Sequence, residues 1–153
     1  MRVTELKLRY EPGAASGTGP DVERILSPKD AARVLAPFCE HEAVETFAVL
    51  CLSVRGDVLG YHHVSRGDLS QTIVHPREVF KAAILANAAA IVLSHNHPSG
   101  DPQPSTDDVA LTRRLASAGE LLGVHVHDHL IIGHHGRYYS FSQAGLLPGR
   151  SQP

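Results

Sequence analysis

The chain has 153 residues, of which 42% are apolar and 20% charged, the profile of one soluble domain around one core. A formal net charge of −2 supplies no basic field to neutralise nucleic-acid phosphates. No segment approaches the ~18 apolar residues that mark a membrane span.

Residues 1–26 read as a short strand followed by a flexible loop. Leu6, Leu8 and Tyr10 alternate with charged residues, and 11–20 is rich in Gly, Pro, Ala and Ser. The first ten residues lack the apolar stretch of a signal peptide, so a cytoplasmic location is expected. Ser27-Pro28-Lys29-Asp30 opens a helix with Ser as N-cap and Pro at the first helical position. That helix turns Ala31, Val34 and Leu35 inward and ends near Pro37. Thr46 to Val54 is an apolar, partly β-branched run expected as a buried strand, returned after Arg55-Gly56-Asp57 by Val58 to Val64. Cys39 and Cys51 form no CxxC pair and are expected as free core thiols in a reducing compartment.

Pro76 opens a second helix with Val79, Phe80, Ala83 and Ile84 on one face. Ala88 to Leu93 reads as a central strand covered on both sides. A loop with three prolines and one glycine runs from Ser94 to Pro104. Ser105 starts a helix carrying Val109, Thr112 and Leu115, stopped by Gly123. Val124 to Ile132 and Tyr138 to Phe141 are further strands, separated by a turn at 133–136. Mixed strands and helices in this order argue for an α/β sandwich. Residues 148–153 are a tail.

The loop after the central strand carries the chemistry. His95 and His97 leave the strand one residue apart, where both imidazoles can aim at one point. Asp108, in the first turn of the next helix, can swing back toward them. Two His and one carboxylate offer a zinc ion three ligands and leave a fourth position open for water, the pattern of a catalytic site. Pro98, Pro102 and Pro104 stiffen the loop and reduce the entropy lost on gathering the ligands. A bland alternative stands beside this: Ser105-x-x-Asp108 is also a capping box, and the two roles are compatible.

The spacing His95-x-His97, seven residues, Ser105, two residues, Asp108 resembles the JAMM signature of MPN-domain metallopeptidases. With Pro76-Arg77-Glu78-Val79-Phe80, His95-Asn96-His97-Pro98-Ser99-Gly100-Asp101, Pro104-Ser105 and Asp128-His129, the chain from 27 to 147 looks like the RadC branch of that superfamily, its MPN (JAMM) domain. The resemblance implies a three-layer α/β sandwich with a mixed central sheet, similar to the cytidine deaminase-like fold. It implies zinc on His95, His97 and Asp108, and Ser105 assisting at the oxyanion. It also implies an upstream Glu as general base, taking a proton from the attacking water and passing it to the leaving amine. Glu40, Glu42 and Glu45 are candidates. Glu45, two residues before Phe47, fits the Glu-x-Phe motif of RadC relatives.

Two departures stand out. Only about 25 residues precede the first helix, so the helix-hairpin-helix region of full-length RadC proteins is not expected. The strand that usually ends in Leu-Asp here reads Leu52-Ser53.

The expected function is a zinc-dependent hydrolase acting on a peptide or isopeptide. A DNA-repair or nuclease role and a catalytically silent scaffold are the alternatives. A zinc deaminase needs a Pro-Cys-x-x-Cys motif that the chain lacks. His125, His127 and His129 are expected on one face of a strand, with His125 and His127 at the surface and Asp128 orienting a ligand His. His62, His63, His134 and His135 are expected as solvated residues near turns, and His75 is left without a role.

Overall fold

A computed structural model describes residues 24–67 and 74–148. The proposed strand at Leu6–Tyr10, the loop at 11–20 and most of the tail lie outside these residues.

Among the described residues the order is α1 (Pro28–Cys39), β1 (Thr46–Leu52), β2 (Val58–Arg66), α2 (Pro76–Leu85), β3 (Ala90–Asn96), α3 (Thr106–Leu122), β4 (His125–Ile132) and β5 (Tyr138–Ser140). The strands form one mixed sheet in the order β2-β1-β3-β4-β5. The pair β3–β4 is parallel and the other pairs are antiparallel. A parallel pair needs a crossover, which α3 supplies.

Every residue of β1 and of β3 is buried, because helices cover both faces of the sheet. Side chains of successive strand residues alternate between the two faces. Val49, Cys51, Ile91 and Leu93 pack with Val79, Phe80 and Ala83 of α2 and Leu115 of α3. Leu50, Leu52, Ala90 and Val92 pack with Ala31, Leu35 and Cys39 of α1 on the other side. The result is the three-layer sandwich, helix–sheet–helices, with a mixed sheet at its centre. Cys39 and Cys51 are free, buried thiols on opposite faces. No described helix is long and apolar enough to cross a membrane.

The helix starts follow local chemistry. Ser27 Oγ accepts from Asp30 N at 3.2 Å and donates to its carboxylate at 2.9 Å. Ser105 Oγ accepts from Asp108 N at 3.1 Å, and Ser105 N donates to Asp108 Oδ2 at 2.7 Å, which completes a capping box. Gly123 ends α3 with φ +70°.

Several boundaries differ from the sequence reading. Helix α1 continues through Pro37 to Cys39, because proline removes one backbone donor while Glu40 N still donates to Ala36 O at 2.8 Å. Ile84 is 56% exposed; Val79, Phe80 and Ala83 are the buried residues of α2. Strand β1 stops at Leu52, and Val54 is 91% exposed in the turn. Ser53 builds that turn: its Oγ accepts from Arg55 N and Asp57 N and donates to Asp57 Oδ2 at 2.8 Å. The turn's carboxylate comes from Asp57, which also pairs with Arg24 at 2.9 Å. His62 and His63 lie within β2 rather than at a turn. Strand β3 runs on to Asn96, so Ser94, His95 and Asn96 belong to the sheet and not to the loop.

Candidate metal centre

His95 is the penultimate residue of β3, held between Phe47 of β1 and Ile131 of β4. It is completely buried. His97 is the first residue past the strand, and its N–H donates to Ile132 O at 3.3 Å. Asp108 is the third residue of α3, 5% exposed, and its backbone is fixed by the cap. The Nε2 atoms of the two His lie 3.1 Å apart. His95 Nε2 is 3.2 Å from Asp108 Oδ1, and His97 Nε2 is 3.4 Å from Asp108 Oδ2.

Those separations fit a metal ion. Donors bound at roughly 2.0–2.1 Å around a tetrahedral centre stand about 3.3 Å from one another. One ligand atom from each of the three residues falls within 4.8 Å of the others, the arrangement of a group that can hold a metal ion. His95 forms the dry floor of the cluster, whereas the His97 side chain is 16% exposed.

The outer ring nitrogens fix the inner ones. His97 Nδ1 donates to Asp101 O at 2.8 Å, since a carbonyl can only accept, and this leaves the Nε2 lone pair facing the cluster. His95 Nδ1 lies 2.8 Å from His129 Nε2, and His129 Nδ1 lies 2.6 Å from Thr112 Oγ1. Thr112 Oγ1 donates to Asp108 O at 2.6 Å. His129 is fully buried, edge-on to Phe47 and stacked on Phe141. Burial drives its pKa well below the ordinary imidazole value, so the ring is neutral.

Electrostatics in the cluster favour a cation. Burial opposes charge on Asp108, but the His95 and His97 rings beside it and a hydrogen bond from Ser105 N hold its carboxyl well below the usual carboxylate range. The carboxylate raises the pKa of His97, partly offset by burial and helped by the Asp101 carbonyl.

Glu45 immediately precedes β1. The β1–β3 ladder ends at the pair Phe47–His95, so Glu45, two residues before Phe47, lies at the same end of the sheet as His97. It is half-buried, and its charge also raises the His97 pKa. The other two candidates are engaged elsewhere: Glu42 pairs with Arg66 at 2.9 Å, and Glu40 accepts from Gly136 N at 3.4 Å.

Asn96, between the two His, was not singled out in the sequence. Its Oδ1 accepts from Thr46 N and Thr46 Oγ1 at 2.8 and 2.9 Å. Its Nδ2 donates to Glu42 O and Val44 O at 3.3 and 3.2 Å. The segment bearing Glu45 is thereby tied to the strand bearing His95. In the sequence Thr112 reads only as a core position, although it stands one helical turn after Asp108, a spacing that faces it the same way.

The expected His stripe is corrected. Ile91 pairs with Val126 but Val92 pairs with Asp128, so His127 is an extra residue in β4. This bulge breaks the alternation and puts His129 out of step with His125 and His127. His125 instead meets Glu120 at 3.0 Å near the surface, and His127 is exposed. Asp128 does not orient a ligand His. It accepts from Ser140 Oγ at 2.6 Å, Ser142 N at 2.9 Å and His129 N at 2.8 Å, joining β4 to the segment after β5. His129 takes the orienting place. His75 caps α2, its Nδ1 accepting from Arg77 N at 3.2 Å.

The RadC-like JAB domain family matches the chain over residues 25–146. A UPF0758 protein of Moorella thermoacetica is 48% identical over 123 residues, covering 80% of this chain and 53% of that protein. One from Symbiobacterium thermophilum is 46% identical over 125 residues, covering 82% and 53%. One from Desulfitobacterium hafniense is 44% identical over 148 residues, covering 95% and 65%. The chain thus spans between 53% and 65% of the length of these relatives, whose names state no activity.

Proposed function

Because the chain belongs to the RadC-like JAB domain family and gathers His95, His97 and Asp108 at one point, we propose that it is a zinc-dependent hydrolase of amide bonds in a peptide or isopeptide. The observation that carries this reading is the convergence of both Nε2 atoms and a carboxylate at 3.1–3.4 Å, with the His97 Nδ1 proton committed to a carbonyl outside the cluster.

His95, His97 and Asp108 would hold the metal. Bound zinc supplies a water acidified toward neutrality and polarisation of the substrate carbonyl. Glu45, at the same end of the sheet as His97, takes the proton from the attacking water and delivers it to the leaving nitrogen. Ser105 Oγ accepts from Asp108 N as the helix cap, which leaves its own O–H proton to donate to the carbonyl oxygen as negative charge builds there. The partly exposed His97 side of the cluster faces the approaching substrate, while buried His95 closes the other side.

Metal analysis by mass spectrometry on tag-free protein tests the site. Wild type is expected to carry about one zinc per chain and His97→Ala none. Glu45→Gln is expected to keep the zinc and lose cleavage across a panel of peptide and isopeptide substrates. Retained cleavage in Glu45→Gln would remove Glu45 from its role, and zinc-free wild type would remove the metal centre.

A further inference from the structure

His95 can bind a metal through Nε2 only if its proton sits on Nδ1. A histidine isolated in a protein carries that proton on either nitrogen, and its neighbours decide which. Here the decision is made two side chains away. Thr112 has a single hydroxyl proton, and a carbonyl can only accept, so that proton goes to Asp108 O at 2.6 Å. Thr112 Oγ1 must then accept from His129 at 2.6 Å, which places the His129 proton on Nδ1. His129 Nε2 is left as an acceptor, and His95 Nδ1 must donate to it across 2.8 Å.

We infer that Thr112 and His129 are positioning residues that set the metal-binding tautomer of His95 through one directional chain of hydrogen bonds. The chain runs from His95 to His129 to Thr112 and ends on the backbone of Asp108, the third member of the cluster. It therefore ties two ligand-bearing elements, β3 and α3, through β4. His129 lies between Phe47 and Phe141 and is completely buried, so no solvent can replace a missing partner. The inference rests on the reading of the cluster as a metal centre.

Thr112→Val is the discriminating substitution, because valine keeps the shape and offers neither acceptor nor donor. In that variant the His129 proton moves to Nε2, His95 Nδ1 accepts it, and the His95 proton points at Asp108 from Nε2. Zinc affinity, measured by competition with a chromophoric chelator, is expected to fall about tenfold or more. Thr112→Ser, which restores the hydroxyl, is expected to recover most of the loss. Nitrogen NMR of zinc-free protein labelled in histidine is expected to find the His95 proton on Nδ1 in wild type and on Nε2 in Thr112→Val. Unchanged affinity in Thr112→Val, or a serine variant no better than the valine one, would overturn the inference. So would an Nε2 proton on His95 in the zinc-free wild type. A wild type that takes up no zinc would instead overturn the metal-centre reading, while the ring-proton positions still decide the chain of bonds.

Discussion

Asn96 and Thr46 are bound twice over: the Asn96 side-chain oxygen accepts both the backbone N–H and the hydroxyl of Thr46, at 2.8 and 2.9 Å. The amide's other end donates to two carbonyls, of Glu42 and Val44. With all four bonds made, the amide has only one orientation that satisfies them, and residues 42–46 have one path into β1. Asn96→Leu would leave Thr46 N and two carbonyls without their partner. A loss of about 3 kcal/mol or more is expected, at roughly 1–3 kcal/mol for each of these groups left unpaired. Denaturant unfolding checks this, and residual zinc binding at low temperature is expected to persist because the Asn96 side chain makes these hydrogen bonds to Thr46, Glu42 and Val44 and not to the three candidate ligands.

One carboxylate, that of Asp108, closes the helix cap and stands in the candidate metal cluster, and two substitutions separate the roles. Asp108→Asn keeps an oxygen for Ser105 N and is expected to fold with near wild-type stability while losing zinc. Asp108→Ala loses both and is expected to be about 1 kcal/mol less stable than the asparagine variant, the usual worth of a cap interaction. Unfolding curves in chelator, with parallel metal analysis, distinguish them. Zinc binding by Asp108→Asn at wild-type affinity would reduce Asp108 to a cap.

Gly100 lies in the loop after His97 with φ +79°, and a Cβ there would stand 2.5 Å from the His134 ring. Its carbonyl accepts from His134 N at 3.2 Å and from the Arg137 guanidinium at 2.9 Å, pinning the loop after His97 to the β4–β5 turn. Gly100→Ala adds a left-handed backbone cost of roughly 1–2 kcal/mol to that clash. Weaker zinc binding is expected with α3 and the sheet intact, as seen by circular dichroism and chelator competition.

Burial pushes the Cys39 and Cys51 thiols up to about 11, from 9.0 for a free thiol. Between these values the folded chain keeps protons that the unfolded chain has released. Stability is therefore constant in this respect below about pH 8 and falls as pH rises from about 9 toward 11. Urea midpoints across that range check the sign, and Cys39→Ala/Cys51→Ala is expected to flatten the slope. Both thiols are also expected to resist alkylation at pH 8 until the protein is unfolded.

The sequence by itself determined the grouping of His95, His97 and Asp108 and the main elements, because their determinants are local. His95, His97, Ser105 and Asp108 lie within fourteen consecutive residues, and a strand end, a stiff loop and a helix cap suffice to bring them together. The apolar runs of β1 and β3 and the caps at Ser27 and Ser105 were legible for the same reason. Tertiary structure alone decided what surrounds the cluster. One additional residue in β4, His127, shifts every later side chain to the opposite face, which sends His129 inward and denies Asp128 the role its sequence position suggested. No local pattern encodes that offset, since it arises from pairing with β3 more than thirty residues earlier in the chain. That Glu45 lies at the same end of the sheet as His97 likewise depends on the β1–β3 register, set by packing against helices on both faces.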